Sequence, residues 1–156
     1  MYVPASRRFL TDVRTEQYLR EIVDAFSLSM SQVHLEVPQP IVANCSPALR
    51  DALQSLREVA LTLVVTNVDA ASDVASFVDL GFGEVHLSNR LANAAASDAG
   101  ARSVVADIVG IAHGRGVLVG ATGVDDQRQH DALGELGCDL AAGGFYGGAR
   151  PANTID

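Results

Sequence analysis

Seven polar side chains lie within or just after short apolar runs of the sequence, at positions where parallel strands commonly end. They are His34, Glu36, Thr66, Asn67, His86, Ser88 and Thr122. Because side chains alternate along a strand, His34 and Glu36 share one face of the run VHLEV, and His86 and Ser88 share one face of the run VHLS. The carboxyl ends of parallel strands meet at one rim of a barrel-like sheet, where sites usually lie. These groups could form a pocket that holds a nucleotide or one metal ion.

A structural interpretation of the same residues is a polar lining satisfied by water, with His34 and His86 hydrogen-bonded to neighbouring groups. It is favoured because a pair of histidines without further acids is rarely a site. Cys45 and Cys138 show no metal-ligand spacing. We therefore expect free thiols in a reducing compartment, and neither a bound metal nor a cofactor.

Composition narrows the function classes. The chain has 156 residues, a formal net charge of −8, and 48% hydrophobic but only 5% aromatic residues. This length allows one domain with an aliphatic core. Excess acid disfavours nucleic acid polymers and anionic membranes, which are bound through Lys and Arg, although a small anionic ligand remains compatible. The sequence shows no secretory signal and no membrane-span pattern, so we expect a cytoplasmic protein.

Apolar runs alternate with helical patterns along the chain. The predicted strands are residues 2–3, 33–37, 60–65, 84–87, 117–119 and 138–142, and the predicted helices are residues 16–26, 46–56, 74–78, 102–113 and 125–136. Residues 88–101 give no clear pattern beyond a possible short helix. The alternation predicts one α/β domain with a parallel sheet and right-handed crossovers.

The stretch ATGVDDQRQHDALGELGCDLAAGGFYGGARP, residues 121–151, resembles the closing segment of EAL domains, the bacterial cyclic di-GMP phosphodiesterases. Its most specific piece is LGCD. Further upstream, VHLEVPQP resembles the family's L-E-L-E-I-T-E-S strand, and VHLS resembles L-K-I-D. The resemblance covers nearly all of the chain but only the last two-thirds of the family domain. It implies an incomplete TIM-barrel-like sheet of about six strands flanked by helices. We expect one truncated domain over residues 1–156, with residues 148–156 as a loose tail.

The resemblance also assigns the positions of a family site. Glu36 stands at a metal-ligand glutamate, whereas other family acids, lysine and glutamine are replaced here by Thr66, Asn67, His86, Ser88, Thr122 and Ala142. The family reaction, as the resemblance implies, uses two divalent ions held by several oxygen ligands. We therefore predict that the chain is not an enzyme and that the seven polar residues form a vestigial pocket.

Three functions follow from the resemblance. The first is a catalytically inactive EAL-like domain that acts as a regulatory protein-binding scaffold in cyclic di-GMP signalling. The second is a receptor that binds cyclic di-GMP without hydrolysis, and the third is a weak phosphodiesterase. Six strands cannot close an eight-stranded barrel, and unpaired edges and apolar faces are sticky. We therefore expect a homodimer, or another protein chain, across the open edge of the sheet.

Overall fold

The computed structural model describes residues 1–147, so the predicted tail at residues 148–156 lies outside the described part of the chain. Six strands form one sheet whose spatial order is the order of the sequence, and every neighbouring pair is parallel. The strands are β1 (Tyr2–Pro4), β2 (His34–Pro38), β3 (Thr62–Val68), β4 (Glu84–Leu87), β5 (Leu118–Thr122) and β6 (Leu140–Ala142). The predicted parallel, incomplete barrel is confirmed.

Helices connect successive strands and pack on one side of the sheet. Within residues 1–147 they are α1 (Arg7–Leu10), α2 (Thr15–Ala25), α3 (Gln39–Ala43), α4 (Pro47–Glu58), α5 (Val74–Asp79), α6 (Asn89–Ala94), α7 (Ala99–His113) and α8 (Gln127–Glu135). Short 3₁₀ segments occupy Met30–Gln32, Ala71–Asp73 and Gly144–Tyr146. Ser46 and Asp126 cap the starts of α4 and α8 with side-chain oxygens that accept backbone N–H groups, which explains where these helices begin.

Three local predictions are corrected by the structure. Pro38 ends β2 as expected, but α3 follows at once, because Pro40 lies in its first turn, where a missing N–H costs nothing. The unclear residues 88–101 form α6 and the start of α7, whose N-caps are Ser88 and Asp98. The start of α8 moves from the predicted residue 125 to Gln127, with Asp126 as the N-cap.

The predicted end of the third strand at residue 65 is also corrected. Thr66 and Asn67 lie inside β3, which extends to Val68 across an irregular register between Val65 and Val68. Asn67 adopts a left-handed backbone with φ of 63°. Asn tolerates this region better than most residues, so the strand can bulge here and still pair with β4.

The convex face of the sheet carries the core. Leu35, Val65, Val85 and Val119 point to this face and are 0% exposed, because the helices cover them. Apolar residues on α2, α4 and α7 complete the layer, which is the burial that holds strands and helices together.

Within residues 1–147, no helix layer covers the concave face of the sheet. Tyr2 and Leu118 lie on this face and are 45% and 43% exposed. The sheet also ends in two short edges. The backbone groups of Val3 and Ala5 point toward β2, since Ala5 N–H donates to the Glu36 carbonyl. The backbone groups of Tyr2 and Pro4 therefore point to the unpaired edge of β1.

Among the helices of the described part, none is long and apolar enough to cross a membrane.

Candidate functional site

Four side chains on the concave face form an acid–histidine cluster, defined here as Tyr2, His34, Glu84 and His86. Glu84 Oε1 lies 2.6 Å from His34 Nδ1, and Glu84 Oε2 lies 3.1 Å from both His86 Nε2 and the Tyr2 hydroxyl. The Tyr2 ring lies over both imidazoles, with centroid distances of 4.7 Å to His34 and 5.6 Å to His86. One carboxylate therefore organises groups from three strands.

The cluster shifts two pKa values in opposite directions. Burial by itself would raise the pKa of Glu84, but the hydrogen bond from His86, the charge of His34 and the hydrogen bonds from Tyr2 and His34 outweigh it and lower that pKa. Burial and then the neighbouring Glu84 charge raise the pKa of Tyr2 to about 12. At neutral pH the cluster thus contains an ionised Glu84 and a neutral phenol.

Close backbone approach fixes the His86 ring. A Cβ placed on Gly120 would lie 2.6 Å from His86 Cδ2 and 2.8 Å from Nε2, so only glycine leaves room for the imidazole. His86 is 6% exposed, and its Nδ1 is buried without a hydrogen-bond partner within the described residues. The ring is held in place while one of its polar atoms stays unsatisfied.

A second group of residues forms a groove at the carboxyl ends of β1, β2 and β3. The groove has a volume of about 480 Å³, and Glu36 and Thr66 are its polar strand residues beside apolar Pro4, Pro38 and Ile41. It lies at the rim where parallel barrels place their sites. Its size and lining suit part of a small ligand.

The third group lies further along the same rim. Ser88 donates its hydroxyl to Asp69 Oδ1, and Arg90 lies 3.0 Å from the same oxygen. The Ser88 hydroxyl also accepts from Leu91 N–H at 3.1 Å, which caps α6. In the same region, Thr122 donates to Asn89 at 2.8 Å. These contacts order the loops after β3, β4 and β5.

The predicted pocket is thus divided into three places. His34 and His86 meet at Glu84, Glu36 and Thr66 line the groove, and the remaining three are Asn67, Ser88 and Thr122 at the rim. Asn67 is exposed. That these residues form one binding pocket stays a prediction.

Five polar residues of these sites were not predicted: Tyr2, Glu84, Asp69, Asn89 and Arg90. Glu84 could have been found, because it alternates with His86 in the same strand and so shares its face. The contact of Tyr2 with Glu84 spans 82 positions in the sequence, and no local pattern indicates it.

The implied pair of divalent ions can be tested against these side chains. Both oxygens of Glu84 already accept hydrogen bonds from the cluster. Within residues 1–147, no group of three or more His, Cys, Asp and Glu side chains is arranged to hold a metal ion. A two-metal centre needs several oxygen ligands close together.

The LGCD motif has a structural role in this fold. Asp139 accepts from Val119 N–H at 2.8 Å and lies 2.9 Å from His113 Nε2, so it joins the start of β5 to the end of α7. Burial alone would raise the pKa of Asp139, but these donors lower it. Burial, with the Asp139 charge, raises the pKa of Cys138 to about 11, so this thiol stays protonated and unreactive at neutral pH.

Comparison with solved structures supports the same architecture. The EAL domain of FimX from Xanthomonas citri, solved with c-di-GMP, superposes with a TM-score of 0.89 at 15% identity, over 99% of this chain and 62% of that one. The PaMucR phosphodiesterase, also a c-di-GMP complex, gives 0.82 at 20% identity, over 97% and 62%. BlrP1 from Klebsiella pneumoniae, solved with manganese and the same nucleotide, gives 0.79 at 20% identity, over 91% and 37%.

The chain therefore spans 62% or less of the length of these structures. No curated protein sequence matches it. The model of the EAL domain family, however, matches residues 2–151, which is nearly the whole chain.

These findings overturn the prediction that the chain is not an enzyme. The structures that share its fold include one described as an EAL enzyme and one described as a phosphodiesterase. The prediction counted acids only at motif positions, whereas Asp69 brings a carboxylate to the rim from a position outside those motifs. Since its model matches the chain from residue 2 to residue 151, the chain belongs to the EAL domain family.

Proposed function

We propose that this chain is a regulatory domain of cyclic di-GMP signalling that binds another protein chain across the concave side of its sheet. The observation that carries the proposal is the uncovered concave face, where Tyr2 and Leu118 are 45% and 43% exposed. An exposed aromatic side chain on a rigid sheet is a typical anchor of protein interfaces, and Leu118 adds apolar surface beside it.

The two sheet edges add to this proposal. Each of β1 and β6 has three residues, and among the described residues each pairs with one neighbouring strand only. Unpaired edges attract other chains unless they are protected. Pro4 gives partial protection, because it removes an N–H from the open side of β1. The broad concave face is therefore the main docking surface, and the edges extend it.

A photoreactive residue tests the docking surface directly. The residue is introduced at Leu118, on the concave face, and in a matched variant at Val13, which is 97% exposed outside the sheet. In cells that produce each variant, illumination is expected to give a defined cross-linked protein product from position 118 and none from position 13. Equal products from both positions, or none from position 118, would contradict the proposal.

The second candidate function is binding of cyclic di-GMP at the rim. It is favoured by the groove of about 480 Å³ beside Glu36 and Thr66, and by the nucleotide complexes of FimX and PaMucR, which share the fold. The ring hydroxyls and phosphates of such a ligand would meet the Thr66 hydroxyl and Arg90, which is largely exposed.

Titration calorimetry separates the nucleotide functions. Cyclic di-GMP is titrated with and without magnesium, and the same samples are then assayed for a hydrolysis product. Binding that weakens about tenfold in Thr66→Val but not in the exposed control Asp107→Asn would place the ligand in the groove. Product formation would identify an active phosphodiesterase. Absence of both heat and product leaves protein binding as the function.

A further inference from the structure

The strands place two carboxylates and two imidazoles, but no Lys or Arg, on the concave face. The only fully charged residues in the six strands are Glu36 and Glu84, which both point to this face, and no strand contains Lys or Arg. Glu36 lies next to His34 along the concave side of β2. A chain that covers this face therefore meets the Glu36 carboxylate, because Glu84 is 3% exposed and already bonded within the cluster.

Two groups on the face still lack partners. Within residues 1–147, the Glu36 carboxylate makes no hydrogen bond or ion pair, in contrast to the fully bonded Glu84. His86 directs Nε2 to the Glu84 carboxylate, so Nε2 is the donor of that hydrogen bond. Its Nδ1 is buried and has no hydrogen-bond partner within the described residues. The Glu36 carboxylate can only accept hydrogen bonds, so its complement is a donor-rich cation.

Building on the proposed function, we infer that the concave face binds a basic segment of a different protein, in which Lys or Arg lies among apolar residues. The cation pairs with Glu36, and the apolar residues contact Tyr2 and Leu118. An Arg is favoured over Lys at this place, because its flat guanidinium can also lie on the Tyr2 ring while it pairs with the carboxylate.

The same charges disfavour a second copy of this chain as the occupant. A symmetric dimer through the concave faces would bring the Glu36 carboxylates of both copies into one interface. Neither copy would supply a cation from its strands, since these contain none. Like charges across a desolvated interface oppose association.

A random 12-residue peptide library displayed on phage, selected against the immobilised full chain, tests the inference. Selected peptides are expected to be rich in Lys or Arg with apolar neighbours. Synthetic copies are then titrated against the wild type, Glu36→Gln, Leu118→Asp and the control Glu58→Gln, whose exposed carboxylate lies in α4. We expect about tenfold or greater loss of affinity for Glu36→Gln and for Leu118→Asp, and no change for Glu58→Gln.

The outcomes separate this inference from the proposed function. If the peptide affinity falls in Leu118→Asp but not in Glu36→Gln, the concave face is still the docking surface, but the inference of a basic partner is overturned. Insensitivity to both variants, or a library without binders, overturns both for this face. Light scattering provides the remaining check: a wild-type dimer that Leu118→Asp dissociates and Glu36→Gln strengthens would show that a second copy is the occupant, and would overturn the inference.

Discussion

Glu84 is the residue on which the concave face depends. It is 3% exposed, and its two oxygens accept from Tyr2, His34 and His86. Three donors on one buried carboxylate compensate for the loss of its hydration, which is why its pKa is lowered despite burial. The charge on Glu84 therefore stabilises the fold only while the carboxyl group is ionised.

Substitution of Glu84 by Gln should reveal this linkage. A lowered folded-state pKa stabilises the fold above the ordinary value of 4.5, and this contribution is lost as the pH falls below it. We expect Glu84→Gln to reduce the free energy of unfolding by about 1–3 kcal/mol at pH 7, and the difference from the wild type to shrink below pH 4.5. Urea denaturation between pH 3 and pH 7 measures both quantities.

Glu58→Gln is the control for this experiment, because Glu58 is exposed at the end of α4 and should change stability little at any pH. A difference in the free energy of unfolding between wild type and Glu84→Gln that stays constant down to pH 3 would show that the ionised carboxylate does not stabilise the cluster.

Only part of this cluster could be predicted from the sequence. Alternation along β4 places Glu84 and His86 on one face, but no local pattern brings β1 and β2 to them.

At the scale of elements, β5 is shaped by its contact with β4. Gly120 pairs with His86 in the register, and the imidazole lies where a Cβ of residue 120 would be. The strand therefore needs a glycine in its middle, although glycine weakens strands in general. In the sequence this glycine resembles an ordinary part of the run VLVGAT, and only the neighbouring strand explains it.

A pair of glycine substitutions tests this contact. Gly120→Ala forces His86 away from Glu84 and should reduce the free energy of unfolding by about 1–3 kcal/mol. Gly110→Ala, in the middle of α7 with no atom within 4 Å of the new Cβ, should instead stabilise by about 0.5–1 kcal/mol. Thermal and denaturant unfolding of both variants give the comparison. A Gly120→Ala protein as stable as the wild type would mean that the His86 position is not fixed by β5.

The helices also differ in how far the sequence predicted them. The starts of α4 and α8 were predictable, because Ser-Pro and Asp pairs carry capping chemistry in the sequence itself. The short helix α3 was not predicted and α6 only as a possible helix within residues 88–101, since five and six residues are too few to establish a period. They form because the strands before them end at the rim and the chain must turn back over the convex face.

At the scale of the whole molecule, the sheet remains open between β1 and β6. Val124 N–H donates to the Ala142 carbonyl, so the Ala142 backbone faces β5 and that of Ala141 faces the open side. The barrel of an EAL domain would continue at these edges, yet within the described residues no strand pairs with the open side of either. The concave face between these two edges is the surface that the proposed protein binding uses.

Amide hydrogen exchange tests whether the edges are open in solution. The Ala141 amide should exchange about tenfold or more faster than the amides of Val64 and Val85, which lie in the central strands. Protein concentrations from micromolar to millimolar serve as the internal control. Protection of Ala141 that grows with concentration would show self-association at the β6 edge and contradict an open monomeric sheet.

The sequence by itself determined the class of the fold: the alternation of apolar runs and helical patterns forces parallel strands with helical crossovers, and the LGCD stretch identified the family. Both are local properties that each segment carries in its own periodicity. Which polar residues meet was decided only by the tertiary structure. Curvature brings β1, β2 and β4 around Glu84, while the predicted partners Glu36 and Ser88 lie elsewhere on the rim. Contacts across strands depend on register and curvature, and no single segment encodes these.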